Sequence, residues 1–180
     1  MDLFYSHIEQ LQMDLLSMKP NDIDEKYHLV CAKLSGEFIA NAIKDLDLSL
    51  YTSDLRMKLE RGLTDLDQGV KAIYFEYDMD NSWEGAFYFC LDYEPLEKEN
   101  DDWASNWEHY LEGPSCKPFS DIYINIGGFE EEDEVGITLY LITRTIMAFI
   151  SATEKLSVNI PLCIAFHDQD QVMRIVATNE

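Results

Sequence analysis

The sequence predicts an α+β domain, with helices first and then a largely antiparallel sheet of about five strands that carries one long helix. Three observations carry that prediction. Apolar residues recur at helical spacing through the first third of the 180 residues. Aromatic and β-branched runs broken by polar turns fill the middle and the end. A single long apolar stripe at helical spacing sits between those two strand-rich regions. Helices, a hairpin, a loop and strand, a helix and a second hairpin do not alternate as βαβ units, so an α+β arrangement fits better than a parallel one. A length of 180 residues suits one domain spanning residues 1–180, large enough to bury a substantial core.

In residues 3–18, Phe4, Ile8, Leu11, Leu15 and Met18 share a helix face, and Lys19-Pro20-Asn21 supplies the stop. Asp22 and Glu25 read as a capping pair for a long second helix running to about Asp45, with Tyr27, Val30, Cys31, Leu34, Phe38, Ala42 and Leu46 along one face. Ser53 is the expected cap of a third helix bearing Leu55, Leu59, Leu63 and Leu66, within which Gly62 costs about 1 kcal/mol relative to Ala. Residues 70–77 and 83–93 then read as a hairpin around Asp78-Met79-Asp80-Asn81-Ser82. Residues 94–119 hold Pro95, Gly113, Pro114 and Pro118 and show no sustained period, which predicts a long loop with one helical turn near 103–111. Residues 122–126 read as a strand and Gly127-Gly128 as a turn. A helix over about 133–155 buries Val135, Leu139, Ile142, Ile146, Phe149 and Ile150, its start crowded by Glu130, Glu131, Glu132, Asp133 and Glu134. Residues 160–167 and 171–177 close the chain as strands around Asp168-Gln169-Asp170.

The formal charge is −22, and residues 76–134 alone hold 18 acids against Lys98 and Lys117. All three tryptophans, Trp83, Trp103 and Trp107, lie in that segment. Such acidity argues against nucleic acid or an anionic membrane as partner and favours a basic one. The start MDLFYSHIEQ has no basic region followed by an apolar core, so a cytoplasmic location is expected. The most apolar run, residues 135–150, is interrupted by Arg144 and is shorter than the roughly 20 residues that span a bilayer. Cys31, Cys90 and Cys163 read as small core residues.

Chemistry is sparsely signalled. Residues 78–84 are a poor calcium loop, because Trp83 stands where Gly is needed and Phe89 where a bidentate Glu is needed. His7, His28, His109 and His167 lack metal-ligand spacing. No metal or cofactor is therefore expected. Cys116 and His109 both lie in the long loop expected over 94–119, but their acidic neighbourhood opposes a thiolate. What remains is an acid and aromatic constellation: Asp101, Asp102, Trp103, Trp107, Glu108, Tyr110 and Glu112, with Trp83 and Glu84 on the neighbouring hairpin. Either the rings plug a satellite core while the acids face water, or at least one Trp stands at the surface inside a carboxylate ring, as an anchor for a partner. Trp103 and Trp107 divide these roles if the loop is extended, one anchoring and the other packing the loop down.

Small size, acidity, N-terminal helices, the segment Lys71-Ala72-Ile73-Tyr74-Phe75-Glu76-Tyr77 and the loop Trp103-Ala104-Ser105-Asn106-Trp107-Glu108 together resemble the bacterial immunity proteins that neutralise contact-dependent and type VI secretion toxins. The resemblance implies a non-enzymatic inhibitor that occludes the basic active site of a cognate toxin. A small hydrolase-type enzyme with a site assembled by the fold, and an acidic adaptor or nucleic-acid mimic, are the alternatives.

Overall fold

The computed structural model describes residues 2–64, 66, 68–154, 156, 158–169 and 171–175. Positions 155, 170, 176 and 177, within the expected last helix, final turn and last strand, lie outside the described residues. Helix α1 (Asp2–Ser17) is followed by α2 (Pro20–Ser35), α3 (Glu37–Lys44) and α4 (Ser49–Thr64). Strands β1 (Ala72–Asp78), β2 (Glu84–Cys90) and β3 (Trp107–Ser115) come next, then α5 (Lys117–Ile126), α6 (Glu132–Thr153), β4 (Leu162–Phe166) and β5 (Met173–Ile175). The protein is α+β, with a five-stranded sheet in the order β3-β2-β1-β4-β5. The β1–β4 pair is parallel and the other three pairs are antiparallel, so the sheet is mixed.

Five expectations change. Helix α4 begins at Ser49, so Ser53 lies inside it and is not its cap. The long second helix is two helices, because Gly36 adopts φ 95, a left-handed backbone that only glycine enters without strain. Pro20 does not merely stop α1. It stands in the first turn of α2, where its missing N–H leaves nothing unpaired, and Lys19 rather than Asp22 is the cap. The 94–119 loop holds β3, which takes up most of the helical turn expected near 103–111, and only a 3-10 turn over Asp102–Ser105 precedes it. Gly113 and Pro114 obscured this strand in sequence, but Pro is tolerated on an edge strand, and the register shift between Glu84 and Ala86 of β2 absorbs the irregularity. Residues 122–126 belong to helix α5 instead of a strand. Pro118 opens it and Phe119, Ser120 and Tyr123 are buried, a short apolar run whose period alone does not separate helix from strand.

Alternation sorts the sheet into two faces. Ile73, Phe75, Tyr77, Phe87, Phe89, Leu162, Ile164 and Phe166 enter the main core beneath the helices. Helix α6 is its centre: Phe149 stacks on Phe75 at 5.3 Å, and a buried stripe runs from Val135 to Ala152. Its 22 residues are long and apolar enough to cross a membrane by composition, more than the sequence reading allowed, but the helix is mostly buried inside the fold. A capping box between Glu131 and Glu134 starts it. Gly62 in α4 is required by contact, since a Cβ there would run into the Phe89 ring. Asp14, buried on α1, accepts from Lys26 and from the Tyr27 hydroxyl of α2 at 2.5 and 3.0 Å. On the same helix, Gln12 acts as a stand-in strand. Its amide accepts from the Arg174 N–H at 2.7 Å and donates to the Arg174 carbonyl at 3.1 Å, satisfying the free edge of β5.

Candidate functional site: an acidic aromatic shelf

The opposite face of the sheet has two unlike ends. At one end, residues 91–106 fold over Ala72, Cys90, Cys163 and Ala165 and seal a small second core. Trp103, 4% exposed, plugs it. Arg174, itself buried, lies 5.3 Å from the Trp103 ring and pairs with Asp101 at 2.5 Å. Arg174 also donates to the Glu94 carbonyl at 2.9 Å, while the second Asp101 oxygen accepts from the Val172 N–H at 2.9 Å. Asp101 and Trp103 are therefore the fastening of this segment and not a partner-facing rim. An acid and an aromatic ring form this clamp because β5 supplies a buried cation that the local sequence gives no hint of.

At the other end the face is open. Register places Tyr110 opposite Tyr88 and Tyr88 opposite Tyr74, so three tyrosines form a row across β3, β2 and β1 that runs from exposed Tyr110 through half-buried Tyr88 to Tyr74, buried in the second core. Tyr88 stacks on Tyr74 at 5.7 Å and on Tyr110 at 6.1 Å. Trp107 leans on both Tyr88 and Tyr110, at 5.6 and 5.8 Å. Trp107 and Tyr110 are 41% and 54% exposed, large rings held in place yet wet on their outer sides. Glu76 lies in the next row, opposite Ala86, which in turn faces Glu112. One Glu76 oxygen accepts from the Tyr74 hydroxyl and the other meets His167 Nδ1, both at 2.9 Å. That contact with Glu76 holds the His167 pKa above its ordinary value. Glu108 and Glu112 on β3 and Asp102 beside it are exposed.

Trp83 departs furthest from expectation. It is 0% exposed, donates to Thr145 at 2.9 Å, stacks on Tyr77 and meets Phe119 and Tyr123 edge-on. Its ring is a core element and not a surface anchor. Ser82 and Trp83 both have positive φ, 57° and 56°, an uncommon backbone for a bulky residue, which this packing holds in place. Asp78 closes the same turn by accepting from the Asp80 and Asn81 N–H groups at 3.0 and 3.1 Å. Glu84, exposed at the start of β2, accepts from Asn81 at 3.2 Å.

Thiol chemistry is disfavoured at every cysteine. Burial pushes Cys31 and Cys116 up to about 11 and Cys90 and Cys163 up to about 12, while His109 stacks on Phe89 at 4.4 Å. Tyr74, Glu76, Tyr88 and His167 join the site only through strand register. The available signal was alternation, Tyr74 then Glu76 on one face of a strand whose other face is wholly apolar. Comparison with protein-family models, curated proteins and solved structures finds no match to this chain.

Proposed function

We propose that this protein is an acidic, non-enzymatic inhibitor of the immunity-protein kind, which binds a basic toxin domain through the open half of its sheet and blocks the toxin's active site in the cytoplasm of the cell that makes both. The observation that supports this best is the packed ring cluster in which exposed Trp107 and Tyr110 lean on half-buried Tyr88 among Glu76, Glu108 and Glu112. Rings already held by one another lose little conformational freedom when a partner covers them, and Trp and Tyr are enriched among the residues that dominate interface energy. The surrounding carboxylates attract a basic surface, repel an acidic one and raise the association rate.

The test is protection. Cells expressing a toxin encoded next to this gene survive when this protein is co-expressed, and protection falls sharply with Trp107→Ala although that variant keeps its fold. If the wild-type protein neither protects nor binds the toxin, the reading is overturned.

A further inference from the structure

A cleft of about 230 Å³ lies where the parallel strands β1 and β4 both end. Its inner walls are aromatic: Phe4 meets Phe129 edge-on at 4.7 Å, Phe166 lies 6.0 Å from Phe4, and Tyr123 is 6.2 Å from Phe129. Its mouth is acidic. Asp78 and Asp80 come from the β1–β2 turn and Asp168 from the turn after β4, and the described lining contains neither Lys nor Arg. Among the described lining residues only His167 could bring positive charge, and its Nδ1 is engaged by Glu76. The Tyr123 hydroxyl senses this balance: burial first, then the charges of Asp80, Asp78 and Glu134, push it up to about 12.

We propose that this cleft receives one arginine side chain of the basic partner. Three arguments converge. The volume falls below the roughly 300 Å³ at which small-molecule sites usually begin, which suits a single side chain. A guanidinium is flat and weakly hydrated, so it stacks against ring faces while its N–H groups reach carboxylates at the mouth. An anion is repelled by the mouth, and an uncharged group would bury the carboxylates without pairing them. The cleft also adjoins the shelf, because Glu76 lines the shelf recess and the His167 it holds lines the cleft. One partner can therefore cover both.

This inference rests on the reading of the protein as a binder of a basic partner, but its test needs no partner, so the two can fail separately. Nα-acetyl-arginine amide is titrated into the whole protein while the Tyr5, Tyr123 and Phe129 ring signals are followed by NMR, with Nα-acetyl-norleucine amide as the uncharged comparison. The arginine probe is expected to saturate those signals in the millimolar range and the norleucine probe to leave them unmoved. The double variant Asp80→Asn/Asp168→Asn is expected to weaken the arginine probe about fivefold with an unchanged melting temperature. Both positions are exposed, and Asn tolerates the φ of 63° at Asp168. Asp78 is left intact because it holds the turn. Glu108→Gln/Glu112→Gln, on the shelf, is expected to leave the probe's affinity unchanged. Equal response to both probes, no saturable response, or an unaltered affinity in the Asp80/Asp168 variant would each overturn the proposal.

Discussion

The two ends of the outer sheet face are built from the same residue types and come out opposite. At the sealed end, Trp103 and Asp101 meet a buried arginine and lock residues 91–106 onto β4 and β5. At the open end, Trp107 and the carboxylates of β3 meet tyrosines and water. What separates them is the cation. Where Arg174 reaches across, the acid and the ring become structure; where none of the described lysines or arginines reaches, as at Glu108 and Glu112, they stay available. Charge and aromatic content therefore do not by themselves mark an interface, and the position of the few cations in this acidic chain decides which acids are already occupied.

The largest effect should come from the sealed end. Trp103→Ala is expected to cost about 3–5 kcal/mol, a buried aromatic truncation that removes the plug of the second core and a face of Arg174. Urea unfolding measures it, and a cost below about 1 kcal/mol would mean that the segment is not fastened by this ring.

Asp101→Ala comes next, at about 3 kcal/mol, since it strands a buried guanidinium. Adding Arg174→Met should recover much of that loss. A double variant no more stable than Asp101→Ala would place the value of Asp101 in its Val172 and Trp103 hydrogen bonds instead.

At the open end the signs separate. Trp107→Ala should change stability by less than about 1 kcal/mol but cost about 2 kcal/mol or more of partner binding. A variant that unfolds like Trp103→Ala would erase the contrast between the two ends. Smaller still, Asp102→Asn/Glu108→Gln/Glu112→Gln should slow association and flatten its salt dependence with little change in dissociation, because exposed charges act at a distance and are screened beyond about 8 Å at physiological salt. Asp101 is left out of that set because neutralising it would loosen the clamp.

The mildest test concerns His167. Its pKa is raised by Glu76, so the pair's contribution is fully present below the ordinary histidine value and is lost as pH rises through the elevated one. Glu76→Gln should return the imidazole titration, followed by NMR, toward its usual midpoint. An unmoved midpoint would dissociate His167 from the shelf.

Helix α1, the β1–β2 hairpin, α6 and β4 were legible because each carries a strong period of its own. What escaped depended on distant partners or on single backbone positions. Gly36 divides a continuous apolar stripe by its φ alone, and β3 hid behind Gly113 and Pro114 because being an edge strand is a property of the sheet. The constellation of acids and rings was visible, but its division was not. Trp83 became core through Thr145, which lies 62 residues on. Trp103 and Asp101 were claimed by Arg174, more than 70 residues ahead. Tyr88 and Tyr74 entered the shelf through register across a hairpin.

Gln12 carries a consequence for the order in which the molecule is made. Its amide completes β5 across 162 residues of sequence, so the strand that needs it is synthesised long after the helix that carries it. At roughly 5–20 residues per second, α1 leaves the ribosome on the order of ten seconds before its counterpart exists. During that interval the helix can dock on α2 through Asp14, Lys26 and Tyr27, holding Gln12 ready. When β5 arrives, the outward N–H and carbonyl of Arg174 find their partner already in place, which leaves little time in which a neighbouring chain could extend the sheet there.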